Sequence, residues 1–377
     1  MKYVSIIGTG FVADLYMKSL AVHSDISIRK VWDKDPERLK AFVEYWNVSA
    51  ASDLDDLLAT CMPNDLILNL TNPSSHFEIS QACLNAGHHV YSEKPLAMTL
   101  DDARDLCDLA VEKGLMLASA PCSLLGEAAQ TVWAALREDQ IGTPQLVYAE
   151  LDDGFISQAP YQDWISESGA PWPARDEFEI GCTLEHAGYY LTWLMMWFGP
   201  VRRLVAASAE LDKTKLGGDP TAPDFSVGML YFDNNVVARL TCSIIAKHDH
   251  ALRIFGPGGT LELEECWDNE APVRKRERRK VRRRLVEWPI TKRLKVAQPT
   301  HPKVKRSGSA SMNFALGPAE VLDAIAESRP SRMPSDFALH LTEVTLAIQN
   351  ANDTAGSRMM TTEFASIEPM PWARTLK

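Results

Sequence analysis

The chain has 377 residues, 46% of them hydrophobic, and a formal net charge of −11 at pH 7. This length is enough for a large core and favours two domains over one. The acidic balance argues against nucleic acid and anionic membranes as general partners. Seven cysteines without a Cys-x-x-Cys pair argue against a disulfide framework and favour a cytoplasmic protein. No stretch approaches the about 18 apolar residues that span a bilayer, so no membrane association is expected.

Short apolar runs alternate with helix-length segments over the first 120 residues. The runs are YVSII, ISIRKVW, LILNL, HHVYS and LMLAS, and helix signals such as Asp35-Pro36 and Gly114 lie between them. This alternation predicts a doubly wound parallel sheet, with helices on both faces, over residues 1–120.

The pattern changes after residue 120. Longer strands such as DFSVGMLYF and NVVARLTCSIIA are separated by hairpin signals such as Asp233-Asn234-Asn235, which favour antiparallel pairing. We therefore expect residues 121–377 to form an α+β domain with a mostly antiparallel sheet. The last part of this domain is predicted to form two helices, separated by Arg329-Pro330 and Met333-Pro334.

A strongly basic stretch interrupts this second domain between Val273 and Arg306. It contains fifteen Lys or Arg and two Glu, and nine of the basic residues lie from Arg274 to Arg284. A solvated excursion between strands is favoured, because so many like charges cannot be buried together. Binding of an anionic substrate or partner is the alternative. Nucleic acid is disfavoured, because no helix-turn-helix or zinc-finger spacing accompanies the run.

The segment GTGFVA follows the first apolar run and opens the first helix. In a Rossmann turn the first glycine permits a tight bend, the second lets the backbone approach pyrophosphate, and a third small residue lets the helix pack on the strand. Gly8, Gly10 and Ala13 fit these positions, and the N–H groups of the helix start, at Phe11 and Val12, would face the phosphates. The segment therefore predicts a dinucleotide site, although a tight turn alone also requires glycine.

An acidic residue, Asp33, ends the next predicted strand, twenty residues after Ala13. A carboxylate there accepts hydrogen bonds from the adenosine ribose and repels a 2′-phosphate, so NAD is expected rather than NADP. The alternative is a turn residue before KDPE, and the neighbouring Lys34 leaves a phosphate contact open.

Further motifs follow the third and fourth predicted strands: Asn72-Pro73, His76, Ala86-Gly87 and Glu93-Lys94-Pro95. With GTGFVA, WDKDPERL and GPAEVLDAI, they resemble the glucose-fructose oxidoreductase, inositol dehydrogenase and MocA (Gfo/Idh/MocA) family, chiefly over residues 1–120. The resemblance implies a Rossmann domain followed by an open, mostly antiparallel sheet that forms the substrate site and often an oligomer interface. It also implies hydride transfer between a nicotinamide and a hydroxyl carbon of a sugar or polyol. The cofactor contacts expected in these motifs are Asn72, Pro73, His76, Glu93, Lys94 and Pro95.

Lys94 has a physical rationale beside the resemblance. A lysine at the carboxyl end of a parallel strand points into the crevice where doubly wound sheets bind ligands, and its ammonium would stabilise a developing alkoxide. Glu93 can fix the loop and Pro95 stiffens it. His76 is expected near the cofactor rather than at the chemistry.

Family members usually carry an Asp and a His four residues apart on a helix, and the corresponding segment here is EIGCTLEHAGYY. If the family's Asp is placed four residues after Gly181, it corresponds to Glu185 and the family's His corresponds to Tyr189. If the family's His is instead placed on the histidine of this segment, it corresponds to His186. A helix turns about 100° per residue, so Glu185 and His186 are not expected to share a face. We predict His186 as the first candidate base, because a near-neutral pKa suits proton transfer, and Tyr189 as the second, because a nearby lysine would lower its pKa. Glu185 would orient the base.

The segment before this helix supplies an aromatic and polar set that suits a carbohydrate, although a packed loop explains it nearly as well: Trp164, Trp172, Arg175 and Asp176. His248 and His250, two residues apart, would lie on one strand face. A solvated strand end is favoured there, and no metal is expected.

The leading hypothesis is an NAD-linked dehydrogenase of a sugar, glycoside or cyclitol that forms a homo-oligomer. One alternative is a glycosidase that oxidises the sugar, eliminates the aglycone and reduces the product with tightly held NAD. The other is a redox-silent dinucleotide-binding regulator, which the altered Asp/His pair and the basic run would suit. Lys94 favours an enzyme.

Overall fold

A five-stranded sheet occupies the first part of the chain in a computed structural model, which describes residues 1–304, 311–353 and 356–377. Its strands are β1 (Lys2–Ile7), β2 (Ile26–Trp32), β3 (Leu66–Asn69), β4 (His89–Ser92) and β5 (Leu117–Ser119). The helices between them are α1 (Phe11–Leu20), α2 (Pro36–Trp46), α3 (Leu54–Thr60), α4 (His76–Asn85) and α5 (Leu100–Lys113). All pairs are parallel, in the order β2-β1-β3-β4-β5, which confirms the predicted sheet.

Local signals fix the ends of these helices. The Asp35 side chain accepts hydrogen bonds from the N–H groups of Glu37 and Arg38, so α2 begins at Pro36. Gly114 ends α5 in the left-handed conformation, with φ of 65°. The strand order reverses between β1 and β3, so a crevice opens beyond the carboxyl ends of these strands.

A second sheet has nine strands within the described ranges of the chain. They are β6 (Leu146–Asp152), β7 (Val201–Ala209), β8 (Phe225–Phe232), β9 (Val237–Ser243), β10 (Leu252–Gly256), β11 (Gly259–Leu263), β12 (Arg274–Val281), β13 (Arg284–Arg293) and β14 (Arg358–Met359). Their order is β13-β12-β11-β10-β6-β9-β8-β7-β14, and among the described strands only β6 and β9 pair in parallel. The predicted mostly antiparallel sheet is confirmed.

Five further helices accompany the second sheet: α6 (Glu127–Arg137), α7 (Ala174–Ile180), α8 (Gly188–Phe198), α9 (Leu316–Glu327) and α10 (Ser335–Gln349). The predicted division of the last two is confirmed. Helix α9 packs on β3, β4 and β5, and α10 packs on both α5 and β7, so the end of the chain joins the two sheets. Gly317 permits the close approach of α9, because a Cβ there would lie 2.4 Å from the Tyr91 ring. Among the described residues, no helix combines the length and apolarity that a bilayer span requires.

The basic run is part of the sheet rather than an excursion from it. Strands β12 and β13 form a hairpin at the sheet edge, and Arg274–Glu277 pairs with β11. Most of the hairpin side chains are exposed, and Arg279 stacks on Trp288, so the like charges stay in water and need no burial. Lys305 and Arg306, at the end of the predicted basic stretch, lie outside the described residues.

We expect the tip of this hairpin to be dispensable for folding. Replacing Arg279–Val286 with a short Gly/Ser turn removes five basic residues but keeps the segment that covers the edge of β11. The midpoint of thermal unfolding should stay within a few degrees of the unmodified protein, since exposed side chains contribute about 0.5 kcal/mol or less each. A fall of more than about 10 °C would show that the tip is structural.

Candidate active site

A cavity of about 550 Å³ opens at the carboxyl edge of the first sheet and extends to helices α7 and α8. Most of the predicted site residues line it: Gly8, Gly10, Phe11, Val12, Asp33, Asn72, Pro73, His76, Glu93, Lys94, Trp172, Glu185, His186 and Tyr189. Four predicted residues are not among its lining: Ala13, Pro95, Trp164 and Arg175. The volume falls within the range of about 300–1,000 Å³ usual for small-molecule sites.

The glycine turn forms one end of the cavity. Gly8 has φ of 94°, and a Cβ there would lie 2.6 Å from the Leu70 carbonyl group, so the turn requires glycine. A Cβ at Gly10 would meet nothing within 4 Å, and no side chain of the described residues caps α1, so its first N–H groups face open space. Ala13 is fully buried beneath them. This arrangement fits a pyrophosphate group at the helix N-terminus.

Asp33 lies at the same end of the cavity but already holds several donors. Its carboxylate accepts hydrogen bonds from the Thr9 N–H (2.7 Å) and hydroxyl, from the Asp35 N–H, and from two guanidinium nitrogens of Arg38 (2.7 and 2.9 Å). Burial raises the pKa of Asp33, but these donors outweigh it and the pKa is lowered. Arg38 and Lys34 also line the cavity, so the predicted ribose contact lies beside two cations.

His76 connects the two loops that follow β3 and β4. Its Nδ1 lies 2.7 Å from the carbonyl oxygen of Pro95, and its Nε2 lies 2.9 Å from that of Thr71. The ring is fully buried, and burial lowers the pKa of His76. The histidine therefore holds the loop that carries Lys94 against the loop that carries Asn72.

Lys94 forms an ion pair with Glu185 at the cavity surface. The adjacent Glu93 accepts hydrogen bonds from the Tyr16 hydroxyl (2.6 Å) and from the Lys94 N–H (3.1 Å), which fixes the loop. Burial lowers the pKa of Lys94, but Glu185, Glu93 and Glu177 together raise it above its usual value. Lys94 is therefore an ammonium group that faces the cavity.

A π-helical turn at Thr183–Ala187 precedes α8 and changes which side chains share a face. Glu185, His186 and Tyr189 all line the cavity, but Glu185 pairs with Lys94 whereas His186 pairs with Glu177 and Asp153. The i→i+5 hydrogen bonding of the wider turn departs from the α-helical register, so the spacing of an α-helix does not describe this segment.

His186 lies between two carboxylates. Its Nε2 donates to Glu177 Oε1 at 2.6 Å, and its Nδ1 forms an ion pair with Asp153. Burial lowers the pKa of His186, but Asp153 and Glu177 outweigh it and raise the pKa well above its usual value. The predicted near-neutral pKa is therefore wrong, and both ring nitrogens already have partners.

The expected lowering of the Tyr189 pKa is also wrong. Burial raises this pKa well above its usual value, and the nearby carboxylates, first Glu93, raise it further. The positive charge of Lys94 is offset by its partner Glu185, so the phenol gains no net cationic neighbour.

The predicted substrate residues separate in the structure. The Trp172 ring lines the cavity, while Trp164 packs behind it with ring centroids 5.1 Å apart. The Arg175 side chain is 65% exposed and forms an ion pair with Glu179, directed away from the cavity.

Sequence reasoning missed several groups that the fold brings to this site. Glu177 and Trp267 line the cavity, and Asp153 pairs with His186 from the end of β6, whereas Asp176, which the sequence had indicated beside Arg175, also lines the cavity. Asp176 and Glu177 stand in the same segment as Arg175, but no spacing rule relates Glu177 to a histidine across the turn at Gly181.

The prediction of a solvated strand end at His248 and His250 holds for only one of them. His248 is 46% exposed, but the His250 side chain is fully buried and contacts Asp153 and Glu265. The reason is sheet pairing, which brings the ends of β6, β10 and β11 together.

Comparison with known protein families identifies both parts of the chain. Residues 2–120 match the model of an oxidoreductase family with an NAD-binding Rossmann fold, GFO_IDH_MocA. Residues 129–262 match the GFO/IDH/MocA C-terminal domain.

Among similar proteins is the D-apiose dehydrogenase of Paraburkholderia graminis, 25% identical over 269 residues, which cover 69% of this chain and 66% of the relative. The D-glucoside 3-dehydrogenase of Escherichia coli is 35% identical over 118 residues, 30% of this chain and 33% of that protein. A solved structure of the WlbA dehydrogenase from Bordetella pertussis, in complex with NADH and UDP-GlcNAcA, has a TM-score of 0.72 at 19% identity and covers 96% of this chain and 98% of that one. This last likeness concerns the fold.

Proposed function

We propose, because the chain belongs to the Gfo/Idh/MocA family of oxidoreductases, that it is an NAD-linked dehydrogenase of a neutral sugar, glycoside or cyclitol. The observation that carries the proposal is the Lys94–Glu185 ion pair, which faces the same cavity as the glycine turn. The open space in front of Gly10 and the uncapped start of α1 fit the pyrophosphate of a dinucleotide. When bound, NAD⁺ supplies the hydride acceptor.

Lys94 and Glu185 have complementary roles in this proposal. The Lys94 ammonium donates a hydrogen bond to the substrate oxygen and stabilises the negative charge that develops as the hydroxyl loses its proton. The Glu185 carboxylate, which is held beside it, accepts that proton. His186 is left out of this direct role, because Asp153 and Glu177 already engage its two nitrogens.

The charge of the site favours a neutral substrate. Four carboxylates line the cavity around Lys94 and His186: those of Glu93, Asp176, Glu177 and Glu185. Carboxylates accept hydrogen bonds from hydroxyl groups, whereas a substrate carboxylate would meet like charges.

Two indole rings, Trp172 and Trp267, add apolar walls that suit the C–H faces of a sugar ring.

A panel of neutral sugars, glycosides and cyclitols, each paired with its uronic-acid or other carboxylate analogue, tests the proposal. NADH formation, followed by absorbance, should appear with at least one neutral compound, and kcat/KM should be at least about 10-fold lower for its carboxylate analogue. Release of a free aglycone without net NADH would indicate the oxidation–elimination reaction instead. If no neutral compound reduces NAD⁺, the proposed function is wrong.

Cofactor preference is tested at Asp33. We expect the unmodified protein to bind NAD more tightly than NADP, because the buried carboxylate faces the end of the cavity that receives the adenosine ribose in a Rossmann site. Asp33→Ala should shift the ratio of the two Kd values towards NADP by about 10-fold or more, because it leaves the charges of Arg38 and Lys34 uncompensated. Glu37→Ala, which removes an exposed negative charge nearby, is the control and should leave the ratio unchanged. Equal Kd values in the unmodified protein would contradict the NAD assignment.

A further inference from the structure

A buried polar cluster lies where three neighbouring strands of the second sheet end. Asp153 follows β6, His250 precedes β10 and Glu265 follows β11. Because β10 pairs antiparallel with both β6 and β11, the C-terminal ends of β6 and β11 and the N-terminal end of β10 lie side by side.

The cluster continues from His186, whose Nδ1 forms an ion pair with Asp153 but makes no hydrogen bond to it in this structure. Asp153, the partner of His186 Nδ1, accepts a hydrogen bond from His250 Nε2 at 2.5 Å. His250 Nδ1 donates to Glu265 Oε1 at 2.7 Å, and the other oxygen of Glu265 lies 3.1 Å from His248 Nε2. At the opposite end, Glu177 joins His186 Nε2 to the cavity.

Burial along this chain of contacts changes from the cavity to the solvent. The side chains of Asp153 and His250 are fully buried, that of Glu265 is 32% exposed and that of His248 is 46% exposed. The contacts therefore lead from the cavity, through the interior, to the protein surface.

The charges alternate along the path. Burial lowers the pKa of His250, but Cys266, Asp153 and Glu265 outweigh it and raise the pKa to about 12. Burial raises the pKa of Asp153, but His186 and His250 outweigh it and hold the pKa below its usual range. Three groups face His250: the carboxylates of Asp153 and Glu265 and the thiol of Cys266, whose Sγ lies 3.4 Å from His250 Nδ1.

We propose that this chain of side chains conducts the proton released by hydroxyl oxidation from the cavity to the solvent. The path, called the relay below, runs through Glu177, His186, Asp153, His250, Glu265 and His248. The proposal rests on the proposed function, because only oxidation of a hydroxyl releases a proton here.

The reaction balances without any further reactant. A bound nicotinamide would supply the acceptor for the hydride of the substrate C–H, and the O–H proton would go to the cavity carboxylates and enter the relay at Glu177. Each histidine starts as an imidazolium with a proton on both nitrogens. It first gives up its Nδ1 proton, His186 to Asp153 and His250 to Glu265, and then turns its ring to take up a proton from the cavity side, so one proton enters at Glu177 and one leaves at His248. Because bound ligands displace water from an active site, an internal path gives the proton an exit that does not depend on water in the cavity.

His250→Gln and Glu265→Gln interrupt the relay while keeping hydrogen-bonding side chains in place. Single-turnover hydride transfer, followed by NADH absorbance, should slow by about 10-fold or more, less than the 10²- to 10⁴-fold loss typical when the base itself is removed. Added imidazole should restore the rate in proportion to its concentration, because a diffusible base replaces the interrupted path. His340→Gln, at an equally buried histidine outside the cavity lining, is the control and should show neither effect.

Two results would overturn the relay. One is a rate in the folded Glu265→Gln variant that equals that of the unmodified protein, or that is lowered but insensitive to imidazole. Glu265 is partly exposed, so this variant keeps the test available if His250→Gln does not fold. The other is a stoichiometric metal ion in the purified protein that His250→Gln removes.

A second readout separates the relay from the proposed function. If the protein oxidises no polyol, the exchange of the His186 Nδ1 proton with solvent, measured by NMR with labelled histidine, still tests the relay. Glu265→Gln should slow that exchange by about 10-fold, and an unchanged exchange rate would show that protons do not follow this path.

Discussion

Lys94→Met should lower kcat by about 10³-fold while the Kd for NAD changes little. Methionine keeps the length and apolar volume of the lysine stem, so the loop after β4 retains its packing. The change removes the ammonium that would stabilise the alkoxide in the transition state. Because that charge matters more in the transition state than in the ground state, the loss should appear in kcat rather than in cofactor binding.

The measurement combines steady-state NADH formation with the Kd for NAD from titration of the protein fluorescence. Lys30→Met is the matched control, since Lys30 also forms an ion pair, with Asp56 at 2.9 Å, but does not line the cavity. The control should keep kcat within about 2-fold of the unmodified protein. Near-native turnover in Lys94→Met would remove Lys94 from the chemistry and favour a protein that binds the dinucleotide without turnover.

Glu185→Gln should lower kcat by about 10²- to 10⁴-fold, the usual loss when a general base is removed. Glutamine keeps the shape of the side chain but does not take up the hydroxyl proton at neutral pH. Tyr189→Phe should be much milder, because burial and neighbouring carboxylates hold the phenol pKa well above its usual value. Glu179→Gln, at an exposed glutamate of α7 with an ion pair to Arg175, serves as the control.

The pH profile of Glu185→Gln adds a second readout. Glu185 is the first of the carboxylates that raise the pKa of Lys94 against the effect of burial. Without it, the pKa of Lys94 falls, so the residual activity, which needs the ammonium form, should decline at lower pH than in the unmodified protein. An unchanged alkaline limb, or a larger loss in Tyr189→Phe than in Glu185→Gln, would contradict this division of roles.

The parallel sheet, the glycine turn and the position of Lys94 could be predicted from the sequence because each is encoded within a few consecutive residues. Alternation of apolar runs and helices fixes the strands, and Gly8 and Gly10 follow β1 directly in the chain. Lys94 lies two residues after the end of β4, and the carboxyl ends of parallel strands face the ligand crevice whatever the rest of the fold does.

The protonation states at the centre of the site could not be predicted in this way. Asp153 lies 33 residues before His186 and reaches it only because the second sheet ends there, and Glu177 reaches it across the turn at Gly181. A pKa depends on burial and on the nearest charges in space, and neither is visible in local spacing. Thus the sequence alone determined that a nucleotide-binding turn and a strand-end lysine are present. Only the tertiary structure decided that Glu185 pairs with Lys94 and that His186 is held between two carboxylates, because long-range sheet pairing and a π-helical turn set those contacts.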